Sequence, residues 1–286
     1  MSPRGLAYAV RGSGPPLLWL SGFAIASRSL DRVVDRFSPH YTCITFDPRG
    51  SGGSRPSVGP MTTSRMAWDA LDVLRHLDVS SAHVYGLSLG GMVAQELAIR
   101  APHRVLSMVL GATTPGGTAA IPPRPGTLWV ALRDAREVLP GSGHISTRGA
   151  LLQAWAAATH DSTRRLARIQ SPTLVVHGDR DVLVPLMNAR ALAELIPTAE
   201  LTVVEGAGHF YFVEQLDLAS DLVLEWLASR PEAAGPPPAA RAPVVTAVDI
   251  AAAPWRHARS QLLPLHHAFV LLSPQTARIR NGRGTP

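Results

Sequence analysis

The sequence predicts an α/β fold in which a mostly parallel central sheet is flanked by helices. Short apolar runs rich in β-branched residues alternate with segments of helical spacing from about residue 16 to residue 228. Most of these runs are continuously apolar, which is typical of strands covered on both faces. The 286 residues are 46% hydrophobic, which is sufficient for a sizeable core.

Strands and helices can be assigned in order along the chain. The predicted strands are Leu17 to Leu20, Thr42 to Phe46, Ala82 to Leu87, Val105 to Leu110, Thr173 to His177 and Leu201 to Val204. An earlier strand, Leu6 to Val10, is predicted to end at the turn Gly12-Ser13-Gly14. Helical spacing indicates helices over Ala67 to Leu77, Leu89 to Arg100 and Leu216 to Leu227.

Two stretches interrupt this alternation. Residues 112–169 are rich in Pro and Gly and contain two predicted helices, Leu128 to Val138 and Arg148 to Ile169. An excursion of this length that leaves a sheet and returns to it is typical of a cap. We therefore expect a core of residues 1–111 and 170–230. A short helical cap, 112–169, is expected to be inserted before the predicted strand Thr173 to His177. The Pro/Ala/Arg-rich residues 231–286 are expected to form a disordered tail.

The composition excludes several chemistries. All 27 basic side chains are arginine, so a Walker A lysine, a pyridoxal Schiff base and a Ser-Lys dyad are impossible. The single cysteine, Cys43, excludes intrachain disulfides and cysteine-rich zinc sites and fits a cytoplasmic location. The sequence has no HExxH motif, and we expect neither a metal nor a cofactor.

The formal charge of +6 does not indicate a nucleic-acid partner. Residues 231–286 carry six arginines against two acids, whereas the first 230 residues carry 21 against 19. Arginines in that body are scattered rather than interleaved with aromatics. The run Leu17 to Ile25 could pass for a signal peptide, but Ser21-Gly22 interrupts it, which favours a strand followed by a functional turn. No run approaches the ~18 apolar residues of a membrane span, so no membrane partner is expected, and the oligomeric state stays open.

Ser88 is the candidate nucleophile. It lies in Gly86-Leu87-Ser88-Leu89-Gly90, between a predicted strand and a predicted helix, which is the context that makes GxSxG informative. Small residues two positions before and after the serine relieve clashes in the sharp turn, and the start of the helix favours developing negative charge. A Gly-rich dinucleotide-binding turn is the alternative, but it needs glycine where Ser88 stands.

A serine needs a base, and the base needs an orienting acid. Of eleven histidines, His209 is the candidate because it follows the last strand on the glycine-flanked loop Gly206 to Phe210. His177 is expected to pack within its strand, and the remaining body histidines considered, His76, His83 and His103, are expected at surface positions. Asp181 is preferred as the acid over Asp179, which is expected to cap or brace the loop. The chain order is then Ser88, Asp181, His209.

Four motifs in this order resemble the α/β-hydrolase superfamily: FDPRGSGGS from Phe46, GLSLGG from Gly86, HGDRDVLVP from His177 and GAGHF from Gly206. Over residues 5–228 the chain is most similar to small esterases, enol-lactonases and cofactor-free perhydrolases. The resemblance implies Ser88 as nucleophile, Asp181 as acid and His209 as base. It also implies an oxyanion hole formed by the backbone N–H groups of Phe23 and Leu89. A dehalogenase or an epoxide hydrolase would need an aspartate where Ser88 stands.

The expected function is hydrolysis of small apolar carboxylic esters or lactones through a Ser-His-Asp triad and an acyl-enzyme. Ser21-Gly22 stands where the family usually has His-Gly, and the expected cap is shorter than is usual for these relatives, so we expect an open pocket. Trp129, Trp155 and Phe210 are candidate pocket aromatics, with core packing as the alternative for each. Acyl transfer or perhydrolysis by the same triad is a second enzymatic reading. A non-catalytic ligand-binding relative is the third.

Overall fold

Seven strands make up the central sheet of the protein, whose computed structural model describes Ser2 and residues 4–123, 126–127 and 145–230. The strands are β1 (Tyr8–Arg11), β2 (Pro16–Leu20), β3 (Thr42–Phe46), β4 (Ala82–Leu87), β5 (Val105–Gly111), β6 (Thr173–Gly178) and β7 (Ala199–Val204). Their order across the sheet is β1-β3-β2-β4-β5-β6-β7, with β1 antiparallel to β3 and every other pair parallel. The predicted α/β class and mostly parallel sheet are confirmed.

Helices cover both faces of this sheet. They are α1 (Asp31–Phe37), α2 (Thr63–His76), α3 (Leu89–Arg100), α4 (Thr147–Ala158), α5 (Met187–Leu195), α6 (Tyr211–Glu214) and α7 (Leu216–Ala228). Short 3-10 helices span Ser27–Leu30, Pro102–Arg104, Gly117–Ala119 and Thr163–Arg168. The predicted helix over Leu128 to Val138 and the tail 231–286 lie outside the described residues. Within the described ranges, no helix is long and apolar enough to cross a bilayer.

The side chains of alternating strand residues pack in two separate hydrophobic layers, one on each face of the sheet. Leu18 of β2 packs with α2 and α3, whereas Leu17 and Trp19 pack with α1 and α7 on the opposite face. Side chains of a strand point alternately to the two faces of the sheet, so a strand buried on both sides has to be apolar throughout. Each fully buried leucine contributes ~1.5–3 kcal/mol to folding. The amphipathic helix α2 buries one face in the first layer, and the Thr62 side chain caps it by accepting from the Arg65 amide.

The predicted helix Arg148 to Ile169 is wrong in its second half. Helix α4 ends at Ala158, and a separate 3-10 helix follows at Thr163–Arg168. The segment between them is bound to the loop after β5, because the Ser162 amide donates to the Pro115 carbonyl at 3.0 Å and the Ser162 hydroxyl oxygen lies 2.9 Å from the same carbonyl oxygen. A bridge between Gly116 and Asp161 extends this pairing. These hydrogen bonds replace the helical ones that residues 160–162 would otherwise form.

The expected surface position of His83 is also wrong. His83 lies on β4, its side chain is buried, and its Nδ1 is 2.8 Å from Oγ of Ser107 on the neighbouring strand β5. Because β4 is central and covered on both faces, every residue of that strand is buried. Two strand starts differ from the prediction by two residues: the first strand begins at Tyr8 instead of Leu6, and β7 begins at Ala199 instead of Leu201. The other strand bounds that differ do so by one residue.

Candidate active site

Ser88 occupies a strained turn between β4 and α3. Its backbone angles are φ 52° and ψ −116°, a region that non-glycine residues adopt only when the surrounding structure forces it. The Ser88 amide donates to the Gly111 carbonyl at 2.8 Å, and Thr113 Oγ1 donates to the Ser88 carbonyl at 2.7 Å. Residues at the end of β5 and just after it therefore bind both the N–H and the carbonyl group of Ser88.

The glycines around Ser88 are required by space. A Cβ atom on Gly86 would lie 2.5 Å from the Gly90 carbonyl oxygen. One on Gly90 would overlap the Leu20 carbonyl and lie 2.8 Å from the Ser21 oxygen. The turn consequently packs directly on the end of β2, as the sequence argument for GxSxG requires.

The loop after β2 passes against Ser88. A Cβ atom on Gly22 would be 3.4 Å from the Ser88 Cβ, so the backbone of Gly22 lies next to the serine. Phe23 is the next residue of the same loop. Phe23 is half-buried and packs on the layer formed with α2 and α3. Leu89 is the first residue of α3, and the first four amides of a helix have no carbonyl one turn earlier to bind. Of the two predicted oxyanion-hole residues, Leu89 follows Ser88 directly and Phe23 follows the glycine that packs against Ser88.

Gln153 fixes this loop from the helix α4. Its side chain is fully buried, Oε1 accepts from the Ala24 amide at 3.0 Å, and Nε2 donates to Ser51 Oγ at 2.9 Å. Ala24 has a positive φ of 60°, and the hydrogen bond that its amide donates to Gln153 stabilises that conformation directly after Phe23. No motif in the sequence points to Gln153, because its partners are distant along the chain.

Asp47 binds the end of the same loop, at Ser27. One carboxylate oxygen accepts from both the amide and the hydroxyl of Ser27 at 2.8 Å, and the other accepts from the Gly53 amide at 2.9 Å. Asp47 belongs to the FDPRGSGGS motif that the sequence resemblance includes. Its structural place accounts for that motif, since it joins the loop after β3 to the loop after β2.

Asp181 and His209 form a direct pair. Asp181 Oδ2 lies 2.8 Å from His209 Nδ1, and Oδ1 accepts from the amides of Leu183 and Val184 at 2.9 and 2.8 Å. Burial alone would raise the pKa of Asp181. Hydrogen bonds from His177 and His209, the charge of His209 and the Val184 amide outweigh burial and hold that pKa well below its usual range. The carboxylate therefore stays ionised at neutral pH.

The structure also places the second candidate carboxylate and two of the three candidate pocket aromatics. Asp179 is exposed and accepts from the Gly206 amide at 2.7 Å, which braces the His209 loop. Phe210 meets the His209 ring edge-on, with centroids 5.2 Å apart, and is buried against Phe212 in the layer with α1 and α7. Trp155 on α4 is 59% exposed. Trp129 lies outside the described residues.

The three predicted catalytic residues follow the carboxyl ends of three parallel strands. Ser88 follows β4, Asp181 follows β6, and His209 follows β7. Carboxyl ends of parallel strands meet at the same edge of a sheet, where open α/β sheets bind their ligands. This parallel sheet, with a serine on a strand-to-helix turn and an Asp-His pair at the same edge, defines a protein of the α/β hydrolase class.

Comparison with known proteins agrees with this class. The family described as "alpha/beta hydrolase fold" matches residues 15–146 and 146–216, and the chain belongs to this family. A poly(3-hydroxyalkanoate) depolymerase of Ectopseudomonas oleovorans is 30% identical in an alignment 249 residues long, which covers 77% of this chain and 87% of the relative.

Two solved structures of hydrolases are also similar to this chain. A hydrolase from Pseudomonas aeruginosa PA01 has a TM-score of 0.70 at 28% identity and covers 78% of this chain and 94% of its own. A thermophilic esterase from Thermogutta terrifontis has a TM-score of 0.68 at 26% identity, covering 78% of this chain and 93% of its own. These relatives are hydrolases, and they support hydrolase activity for this chain.

Proposed function

We propose that the protein is a serine hydrolase that cleaves small apolar carboxylic esters or lactones through Ser88, His209 and Asp181. The observation that carries the proposal is the Asp181–His209 pair at 2.8 Å, at the sheet edge where the strained Ser88 turn also lies. Because Nδ1 of His209 is bound to the carboxylate, Nε2 is left free of a proton to act as a base.

The proposed reaction has two halves. His209 Nε2 takes the proton of Ser88 Oγ while that oxygen attacks the ester carbonyl carbon, and the amides of Phe23 and Leu89 bind the resulting oxyanion. The protonated imidazole then donates to the leaving alcohol oxygen, and the carbonyl–oxygen bond breaks to leave an acyl-enzyme. In the second half, His209 deprotonates a water molecule that attacks the acyl carbon, and Ser88 regains its proton as the acid departs.

Asp181 contributes electrostatically. Its carboxylate keeps the imidazole ring in one tautomer and stabilises the positive charge that forms when Nε2 is protonated. The lowered pKa of Asp181 supports this role, because the carboxylate does not take the proton itself at neutral pH. All groups in the proposed reaction are protein side chains, backbone amides and water. We also propose that residues 112–169, which include α4, form the cap over this site.

The proposal is tested by labelling with a fluorophosphonate probe and by hydrolysis of p-nitrophenyl esters. Ser88→Ala should abolish labelling and lower kcat by ~10⁴- to 10⁶-fold, the scale on which triads lose a nucleophile. Ser80→Ala, in the exposed turn before β4, is the matched control and should retain both. Substantial esterase activity in Ser88→Ala contradicts the assignment, and a folded wild-type protein that is not labelled favours a non-catalytic relative.

The choice of acyl acceptor is tested separately. Product analysis in the presence of an alcohol or of hydrogen peroxide distinguishes hydrolysis from acyl transfer and from perhydrolysis. We expect the free acid as the dominant product. An ester or a peracid in excess over the acid would assign the triad to transfer chemistry instead.

A further inference from the structure

A second histidine contacts the proposed catalytic acid. His177 is the penultimate residue of β6, four positions before Asp181, and its side chain is completely buried. Its Nε2 atom lies 2.7 Å from the Val184 carbonyl oxygen and 3.2 Å from Asp181 Oδ2. Packing within the strand, which the sequence predicts, therefore accounts for only part of its surroundings, and the reaction proposed above makes no use of it.

The tautomer of His177 follows from its contacts. Nδ1 is buried without a hydrogen-bond partner among the described residues, whereas Nε2 faces two oxygen acceptors. A bare Nε2 would direct its lone pair at both oxygens, and a proton on Nδ1 would be buried with nothing to receive it. The ring consequently carries its proton on Nε2, directed at the Val184 carbonyl and close to Asp181.

These contacts close a small ring around the carboxylate. Val184 donates its amide to Asp181 Oδ1 at 2.8 Å and accepts from His177 with its carbonyl. Asp181 Oδ2 lies between two imidazoles, 2.8 Å from His209 Nδ1 and 3.2 Å from His177 Nε2. The oxygen that faces His209 is thereby fixed on both sides, and part of its charge is balanced by the His177 N–H dipole.

We propose that His177 is a positioning residue for Asp181: it fixes the carboxylate oxygen that binds His209 and balances part of its charge. The inference rests on the proposed triad. His177 acts through Asp181 and touches no substrate. Displacing a carboxylate that orients a base by even 1 Å lowers turnover by up to about 10²-fold, because the base leaves its reactive geometry.

Other ionisable groups lie within five residues of Asp181 or His209 along the chain; they are present in every variant and cannot account for a difference between the variants. They are Asp179 and Arg180 after β6, Glu205 and Glu214 around the His209 loop, and Tyr211 of α6. Two of them are held by backbone amides, since Asp179 accepts from Gly206 and Glu214 accepts from Gly208.

The test compares two substitutions of His177 with a matched control. His177→Phe keeps a ring and removes the donor, whereas His177→Gln keeps an N–H near the position of Nε2. His83→Phe is the control, because His83 is likewise buried on a strand and makes one side-chain hydrogen bond, to Ser107 at the other end of the sheet. Ester hydrolysis is measured from about pH 5 to about pH 9, together with the low-field proton resonance of the His209–Asp181 hydrogen bond.

His177→Phe should lower kcat by about 10- to 100-fold with little change in KM. The acid limb of kcat/KM should move to higher pH, because the uncompensated carboxylate stabilises protonated His209 more strongly. His177→Gln should recover most of kcat and of the wild-type profile, and His83→Phe should change neither. The low-field resonance should shift in His177→Phe alone.

Two results overturn the inference: a wild-type pH profile and resonance in His177→Phe, or the same changes in His83→Phe. Failure of the proposed function is a different result, in which the wild-type protein hydrolyses no ester and the probe does not label Ser88. The resonance still decides the role of His177 in that case, because it reports the Asp181–His209 hydrogen bond without turnover.

Discussion

Asp181 Oδ2 lies 2.8 Å from His209 Nδ1, and this single contact joins the loops after β6 and β7. Its partners are 28 residues apart, so the pair exists only after both strands have entered the sheet. The contact is at once a structural tie between two loops and the part of the proposed triad that sets the direction of the imidazole ring.

Asp181→Asn should separate these two roles. The amide keeps the shape of the carboxylate but favours the wrong tautomer of His209, so kcat is expected to fall by about 10⁴-fold. Asp179→Asn, in which the exposed brace of the same loop is changed, should lower kcat far less. Initial rates of ester hydrolysis by the two variants provide the measurement, and equal losses would show that loop bracing, rather than charge at Asp181, limits the reaction.

The same pair has a stability consequence in acid. Since the folded-state pKa of Asp181 is lowered, its ionised form stabilises the folded protein above the ordinary aspartate value of 3.8, and this contribution is lost as the pH falls below it. The difference in unfolding free energy between wild type and Asp181→Asn should therefore shrink between about pH 5 and about pH 3. Urea unfolding at several pH values measures it, and a constant difference would contradict the lowered pKa.

Local sequence is sufficient to predict the sheet and the position of each candidate triad residue after its strand. Ser88, Asp181 and His209 each follow a strand that a short apolar run predicts, and the short motifs around them place each after a strand end. Gln153 could not be predicted, because its partner Ala24 is 129 residues away and a lone glutamine in an alanine-rich helix carries no pattern. The contact of His177 with Asp181 was missed for a different reason, since its position inside a strand already accounted for its burial.

Two buried histidines should make the protein sensitive to mild acid. Burial lowers the pKa of His83 and of His160 from 6.5 to about 4. Between these values the unfolded chain binds protons that the folded chain does not, so stability falls as the pH decreases from about 6.5 to about 4, by on the order of 3 kcal/mol for each histidine.

Substitutions that cannot titrate should flatten this dependence. His83→Asn and His160→Asn each keep an N–H near the position of Nδ1, which contacts Ser107 in the first case and Thr63 in the second. The exposed His103 supplies the control variant, His103→Asn. Unfolding free energies from urea titrations at successive pH values give the slopes, and slopes as steep as that of the wild type in both variants would argue against buried, uncharged imidazoles.

Gln153 should affect turnover through the loop that carries Phe23. Gln153→Leu leaves the Ala24 amide and the Ser51 hydroxyl without their partner, which costs about 1–3 kcal/mol of stability. The released loop should displace the Phe23 amide and lower kcat/KM by about 10- to 100-fold. Gln153→Glu retains the acceptor for Ala24 and should lose less activity, as measured with the same ester.

Gln95→Leu is the matched control for this effect. Gln95 is also fully buried and joins α3 to the segment after α4, donating to Thr114 and accepting from Ser162 at 3.1 and 2.6 Å. Its loss should lower stability by a similar amount while changing kcat/KM less. If both leucine variants lost activity in proportion to stability, Gln153 would have only a structural role.

Gly90 makes the sharpest steric prediction. In Gly90→Ala the new methyl group overlaps the Leu20 carbonyl and lies 2.8 Å from that of Ser21, and both are backbone atoms at the end of β2 that cannot rotate away. Relief therefore requires α3 to move off the sheet, with a loss of about 3–5 kcal/mol. Gly59→Ala is the control, because the added carbon meets only Arg65 Nη1, at 3.8 Å, and stability should change by about 0.5 kcal/mol or less.

The two effects of Gly90→Ala can be measured independently. Urea unfolding gives the stability loss, and the rate of fluorophosphonate labelling at low denaturant gives the state of the site in molecules that remain folded. Because the displaced β2 end leads directly into Ser21, Gly22 and Phe23, labelling of the folded fraction should slow as well. A Gly90→Ala protein with wild-type stability and labelling would mean that the turn at Ser88 is not packed on β2. That result would also contradict the proposed role of the Phe23 amide in the oxyanion hole.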